Sequence, residues 1–253
     1  KGVTMIRKTL LSAAAFALTG GAAHASFLVT YEAPKAVNTT ASFDYKGVEN
    51  FDSRSVGSNQ TFTTDFGTAA DLTKITGTYQ SVEILKADVW GGAGNTGNYA
   101  VTFSGGGYDL TLSAQDAATS AAKPVTYFGY WLSALDRGNQ VEFYRSGSLL
   151  FSFNPAAVLA LTGNCPTSAY CGNPVTGGNP GEPYVFLNFY DQSGLGFDKV
   201  RFLENPQVGG YESDNHTVGS YKTITGTEVP EPASLALVGL ALAGLGALRR
   251  RRA

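Results

Sequence analysis

From residue 27 to about residue 226, apolar and polar positions alternate with a period of two over short stretches. Spacing of the 3.6-residue kind is scarce. The clearest alternating runs predict strands over Tyr99 to Phe103, Tyr108 to Ser113, Val125 to Leu132, Gln140 to Tyr144, Leu149 to Phe153, Tyr184 to Tyr190 and Lys199 to Leu203. Weaker runs cover Phe27 to Tyr31, Gln60 to Thr64 and Val82 to Leu85. Ser104-Gly105-Gly106-Gly107 and Ser146-Gly147-Ser148 separate adjacent runs and read as hairpin loops. One helix is expected over Pro155 to Leu161, with Asn154 to cap it, Pro155 in its first turn and Gly163 to end it. Roughly ten short strands joined by polar, glycine-rich loops predict an all-β domain, an antiparallel β-sandwich of jelly-roll-like form. No internal repeat is visible.

The two ends follow another pattern. Met5 is the single methionine and is the expected start. Ile6-Arg7-Lys8, an apolar run from Thr9 to Thr19 and the small-x-small site Ala23-His24-Ala25 predict a signal peptide over residues 1–25, cleaved before Ser26. At the other end, Pro230-Glu231-Pro232 precedes 16 uncharged residues, Ala233 to Leu248, and the cluster Arg249, Arg250, Arg251, Arg252. As a helix the uncharged run is about 24 Å long, slightly short of a roughly 30 Å hydrocarbon core, and the arginines can snorkel to the interface. A single transmembrane helix over 233–248 is therefore expected, its arginine end held in the cytoplasm by the positive-inside rule. The domain boundaries that follow are 1–25, 26–226 and 227–253.

This tripartite tail resembles the PEP-CTERM sorting signal of bacterial exosortase substrates, matching in order the Pro-Glu-Pro motif, the hydrophobic helix and the arginine cluster. In that family a membrane protease, exosortase, recognises the tail and removes it near the motif. The resemblance implies that Pro230, Glu231 and Pro232 are a recognition site for another enzyme. The proline rings would keep that segment extended, which suits a protease cleft.

Composition changes the picture once the ends are set aside. The whole chain has a net charge of −2, but Ser26 to Val229 holds 11 basic and 19 acidic residues, a net charge of −8. Such a body repels nucleic acid and anionic lipid and suits neutral polysaccharide or divalent cations. The only cysteines, Cys165 and Cys171, sit six positions apart in an exported chain and predict a local disulfide, worth roughly 2–3 kcal/mol in the chain-entropy view. A redox pair would usually show the tighter C-x-x-C spacing.

Candidate chemistry in the body is diffuse. A Ser-His-Asp triad would have to use His216, and no Gly-x-Ser-x-Gly elbow accompanies it; an exposed imidazole at a strand end is the plainer expectation. Gly91-Gly92-x-Gly94-x-x-Gly97 lacks the strand and helix that a dinucleotide loop requires and reads as an ordinary loop. A glycosidase would need two carboxyl groups at roughly 5–10 Å, and Asp136, Glu142, Asp191, Asp198, Glu212 and Asp214 are the candidates, none singled out by spacing. Glu212, Asp214 and Asn215 cluster three oxygen donors that calcium could use, with Asp52 or Asp44 completing the shell. In Tyr127-Phe128-Gly129-Tyr130-Trp131, Phe128 reads as core, while Trp131, Tyr130 and, further upstream, Trp90 are candidates for stacking on sugar rings.

Parts of the body are also similar to a subgroup of exosortase-dependent surface proteins: Tyr127 to Trp131, the hairpin Val141 to Phe153, Phe197 to Phe202 and Tyr211 to Asn215. The resemblance implies export through the Sec translocon, a transient stay in the inner membrane of a Gram-negative bacterium, and display at the surface or in the matrix. It also implies association with exopolysaccharide and biofilm. A non-enzymatic surface protein is thus expected; a carbohydrate-binding module, with or without calcium, is the alternative, and a secreted glycoside hydrolase or lyase the third.

Overall fold

A computed structural model of the chain describes residues 27–230 except 69–71, 94, 95, 104 and 208. The expected signal peptide, Glu231, Pro232, the helix over 233–248 and Arg249 to Arg252 lie outside the described residues. Among the described residues, no helix is long and apolar enough to cross a membrane.

In chain order the strands are β1 (Phe27–Tyr31), β2 (Phe43–Glu49), β3 (Gly57–Thr68), β4 (Thr73–Lys86), β5 (Asn98–Thr102), β6 (Tyr108–Asp116), β7 (Ala122–Lys123), β8 (Tyr127–Leu132), β9 (Asn139–Arg145) and β10 (Ser148–Phe153). The helix α1 (Ala156–Thr162) follows, then β11 (Val185–Asp191), β12 (Lys199–Glu204), β13 (Tyr211–Tyr221) and β14 (Thr227–Glu228). The helix lies where the sequence puts it. Asn154 Oδ1 accepts the Ala156 N–H at 2.8 Å, and Gly163, at φ 80°, ends it. Cys165 and Cys171 form the expected disulfide.

The strands are joined into one sheet, in the order β10-β9-β12-β6-β4-β5-β13-β8-β11-β1-β14, with β2 on β13, β3 on β4 and β7 on β6. Every ladder between them is antiparallel. The all-β antiparallel character matches expectation, whereas the ladders run through a single curled sheet where two separate sandwich sheets were expected. The physical reason lies in two long strands that change partners midway. β4 pairs with β6 through Thr73 to Gln80 and with β5 through Glu83 to Lys86; Ser81 between them has φ 63°. β13 pairs with β5 over Tyr211 to Ser213 and with β2 over His216 to Tyr221; Asn215 between them has φ 50°, at a break in the β8 register. A left-handed residue inside a strand bulges and bends it, and here the two bends carry one sheet around the core.

The curl brings the ends of the strand order together. Phe27 on β1 stacks on Phe151 of β10 at 4.9 Å, and Phe189 on β11 meets Phe143 of β9 at 5.0 Å and Phe153 of β10 at 5.4 Å. At the centre of this aromatic core lies His216, fully buried, which corrects the expectation of an exposed imidazole. Its ring stacks on Phe202 and meets Phe51 and Phe128 edge-on. Its Nδ1 is 3.0 Å from the Tyr79 hydroxyl and its Nε2 3.0 Å from Ser213 Oγ, which in turn lies 2.9 Å from the Tyr108 hydroxyl. Burial pushes the imidazole down to about 3, so it is neutral and offers one donor and one acceptor, matched by hydroxyls that can play either part.

Replacing His216 by Ala removes a buried ring and leaves the Tyr79 and Ser213 hydroxyls short of a partner. We expect a loss of about 3–5 kcal/mol in denaturant unfolding. Because the folded value lies below the ordinary 6.5, the unfolded chain takes up the proton first, and wild-type stability falls as pH drops from 6.5 towards 3. A His216→Gln variant should lack that part of the slope. An unchanged pH profile would contradict the assignment.

Candidate functional site

On the outer side of β13, Glu212 opens into a cleft of about 510 Å³. Leu85 of β4 and Tyr99 of β5 form one wall, with Phe103 just beyond β5. Asp88 and Trp90 come from the β4–β5 connection, Ala134 and Asp136 from the β8–β9 connection, and Glu182 from the approach to β11. Among the described residues that line it there is no Lys, Arg or His. Arg137 instead lines an adjoining cleft that shares Asp136 and Glu182.

Local chemistry fixes each wall. Asp88 Oδ1 accepts the backbone N–H groups of Trp90 at 2.9 Å and Gly91 at 3.0 Å, a tight turn that leaves the indole 52% exposed. The Tyr184 hydroxyl donates to the Val89 carbonyl at 2.8 Å and ties this turn to the β11 side. Opposite, Gly209 and Gly210 are needed for close approach. A Cβ on Gly209 would stand 2.3 Å from Asp136 Oδ2, and one on Gly210 would stand 2.2 Å from Glu212 Oε1. Two bare backbone positions thus let two carboxyl groups press against the same wall.

The electrostatic consequence is a set of reluctant acids. Burial first, then the charges of Asp136, Glu204 and Asp88, pushes Glu212 up to about 8, against hydrogen bonding from its own backbone N–H. Burial and Asp136 raise the neighbouring Glu204 to about 7 and Glu182 above its usual range, and burial alone raises Asp136. Glu212 is 7% exposed, and its Oε2 has no hydrogen-bond partner.

The sequence candidates separate on this geometry. Trp90 stands in the cleft. Trp131 and Tyr130 are completely buried, which corrects their reading as sugar-stacking residues. β8 lies between β11 and β13, and its outer face is covered as well: Trp131 packs with Ala93, Tyr184 and Phe186, against Val37. Tyr130 turns inward, 2.5 Å from the Tyr211 hydroxyl. The calcium trio is divided. Asp214 and Asn215 line a separate small cleft with Asp52, away from Glu212, and Asp44 pairs with Lys222 at 3.1 Å. Asp214 Oδ2 accepts the Ala93 N–H and Oδ1 the Asn215 N–H, and burial pushes this carboxyl up to about 7. Among the described residues, no group of three or more His, Cys, Asp or Glu side chains is arranged to hold a metal ion.

Three further acids have local partners. Glu142 accepts from Gln140 and Tyr144, Asp191 from the Ser193 and Gly196 N–H groups, and Asp198 from the Ser146 N–H. Of the six carboxyls weighed for catalysis, Asp136 and Glu212 share the cleft. Sequence reasoning did not single out Asp88, Glu182, Tyr99 or Phe103; the glycine pair just before Glu212 is the local signal that could have marked this wall.

A second feature lies where the chain approaches its tail. β14 pairs with β1, Thr30 opposite Glu228, and the Val229 N–H donates to the Val29 carbonyl at 2.9 Å. Val229 is buried and Pro230 exposed, beside an apolar groove lined by Phe27, Phe151 and Phe153. Both ends of the described body therefore leave from one strand pair.

The model of the PEP-CTERM protein-sorting motif matches residues 228–252. None of the curated proteins matches the chain. Among solved structures, the K2 cleaved adhesin domain of Lys-gingipain (Kgp) is similar over 71% of this chain and 100% of that one. The identity is 13% and the TM-score 0.36, a likeness too loose to carry an argument. The chain thus carries a PEP-CTERM sorting motif, which supports an exosortase-dependent surface protein: it implies exosortase processing and export to the cell surface.

Glu212 provides a direct check on the cleft. Its folded value, about 8, lies above its ordinary 4.5, so the unfolded chain ionises first and stability falls as pH rises between these limits. Glu212→Gln should be close to neutral below pH 4.5. Above pH 8 it should stabilise by roughly 1–2 kcal/mol, or about 2–8 °C in Tm. An offset that does not grow with pH would contradict a buried, unpaired carboxyl.

Proposed function

We propose that the mature chain is a non-enzymatic protein of the cell surface or extracellular matrix, associated with exopolysaccharide and biofilm. The observation that carries this reading is the sorting motif at 228–252, which begins at the last residue of the strand that seals the body against β1. In this reading residues 5–25 direct export through the Sec translocon of a Gram-negative bacterium. Residues 233–248 then hold the body at the inner membrane, with Arg249 to Arg252 on the cytoplasmic side, until exosortase cuts near Pro230-Glu231-Pro232. The last described backbone contact of the body is made by Val229, so a cut beyond it leaves the β1–β14 ladder intact. Replacing Pro230, Glu231 and Pro232 by alanines should leave the full-length form in the membrane fraction, read by intact mass and immunoblot; normal trimming of that variant would refute the reading.

A second reading, carbohydrate binding, is favoured by the exposed faces of Trp90 and Phe103, 52% and 44%, at the acidic cleft. Trp90→Ala should weaken glycan binding by roughly tenfold in a glycan array or titration, with Tm nearly unchanged because the ring is half in solvent. Glycan turnover abolished by Asp136→Asn or Glu212→Gln would replace both readings with a hydrolase.

A further inference from the structure

We propose that the Glu212 cleft binds the ammonium group of an amino sugar residue, with the sugar ring against Trp90. The inference rests on the carbohydrate-binding reading and narrows it to a charge class. Four carboxyl groups, Asp88, Asp136, Glu182 and Glu212, line the cleft, and no basic side chain among the described residues lining it answers them. Such crowding is unfavourable when the site is empty, and Glu212, 7% exposed with its buried Oε2 unpartnered, is the carboxyl of the four that gains most from a cation beside it.

The chemistry of the occupant follows by elimination. A bare divalent cation needs several ligands converging at about 2.3–2.6 Å, and no three of the described acids are arranged for it. A neutral sugar hydroxyl can hydrogen-bond to a carboxyl but does nothing to offset the repulsion among those that are ionised. An ammonium group donates three hydrogen bonds, carries the opposite charge, and is attracted to the exposed rings of Trp90 and Phe103. The exposed indole and phenyl faces at the rim offer a flat apolar surface that suits a sugar ring better than a single aliphatic side chain. The net charge of −8 on the body would also steer a polycationic chain towards it.

The test is isothermal titration at neutral pH of the mature body with β-linked glucosamine oligomers and with their N-acetylated counterparts, which keep the ring and lose the charge. The free-amine oligomer should bind at least about tenfold more tightly and weaken as salt is raised. Glu212→Gln, and independently Asp136→Asn, should erase that preference while thermal unfolding remains cooperative. Trp90→Ala should weaken both oligomers. Equal or tighter binding of the N-acetylated oligomer would overturn the cationic inference and leave the carbohydrate reading standing. Binding of neither oligomer would overturn both, as would capture of tetralysine alone.

Discussion

The structure depends on one neutral imidazole. In a regular strand Ser213 and His216 would point to opposite faces, since they are three positions apart. The bulge at Asn215 shifts the alternation by one residue, and both side chains turn into the core, 3.0 Å apart. From there the hydrogen bonds run outward to Tyr79 on β4 and Tyr108 on β6, two strands on the other side of the curl. The polar groups are thus satisfied in a core otherwise built of phenyl rings, and their geometry sets how the bent strands face each other. Before the bulge, Glu212 and Asp214 alternate with Ser213 on the outer side of β13, and they open into different clefts.

Much of this was legible in the chain, and what was not has a physical cause. The runs around Tyr127, Val141 and Leu149 became β8, β9 and β10 with nearly the expected limits, because alternation and hairpin glycines act locally. β13 was not among the alternating runs, although it joins β2, β5 and β8. Glu212 and Asp214 were expected on one strand face, with His216 at its exposed end. The burial of this stretch is not visible in one dimension, since the partners that satisfy its buried groups, Tyr79, Tyr108 and the Ala93 N–H, are more than a hundred residues away. Trp131 failed as a surface candidate for a related reason. Period two places its ring on one face of β8 but cannot say that Val37 and Ala93, from two distant loops, cover that face. Trp90 could be judged no better from sequence, and only the Asp88 turn explains why its ring is held in solvent.

Desolvation acts on opposite charges in opposite directions, and the body carries both cases. It drives His216 towards the neutral base and drives Glu212, Glu204 and Asp214 towards the neutral acid. The histidine disfavours folding as pH falls below 6.5, while the acids disfavour it as pH rises from their ordinary range to about 8. Through these groups the slope across neutrality is set by the carboxyls, whose burial costs more stability as pH rises. The core histidine is a cost confined to acid; the cleft acids are a standing cost at neutral pH.

That difference separates a structural group from a functional one. Every polar atom of the His216 ring has a partner inside the protein, and nothing from outside could improve its position. Glu212 is held against bare glycine backbone, beside other acids, with its buried Oε2 unmatched, at the wall of a cleft open to solvent. In the proposed reading the unpaired acid is answered by a cation held in the cleft, and the exposed indole of Trp90 beside it gives the rest of that ligand an apolar face.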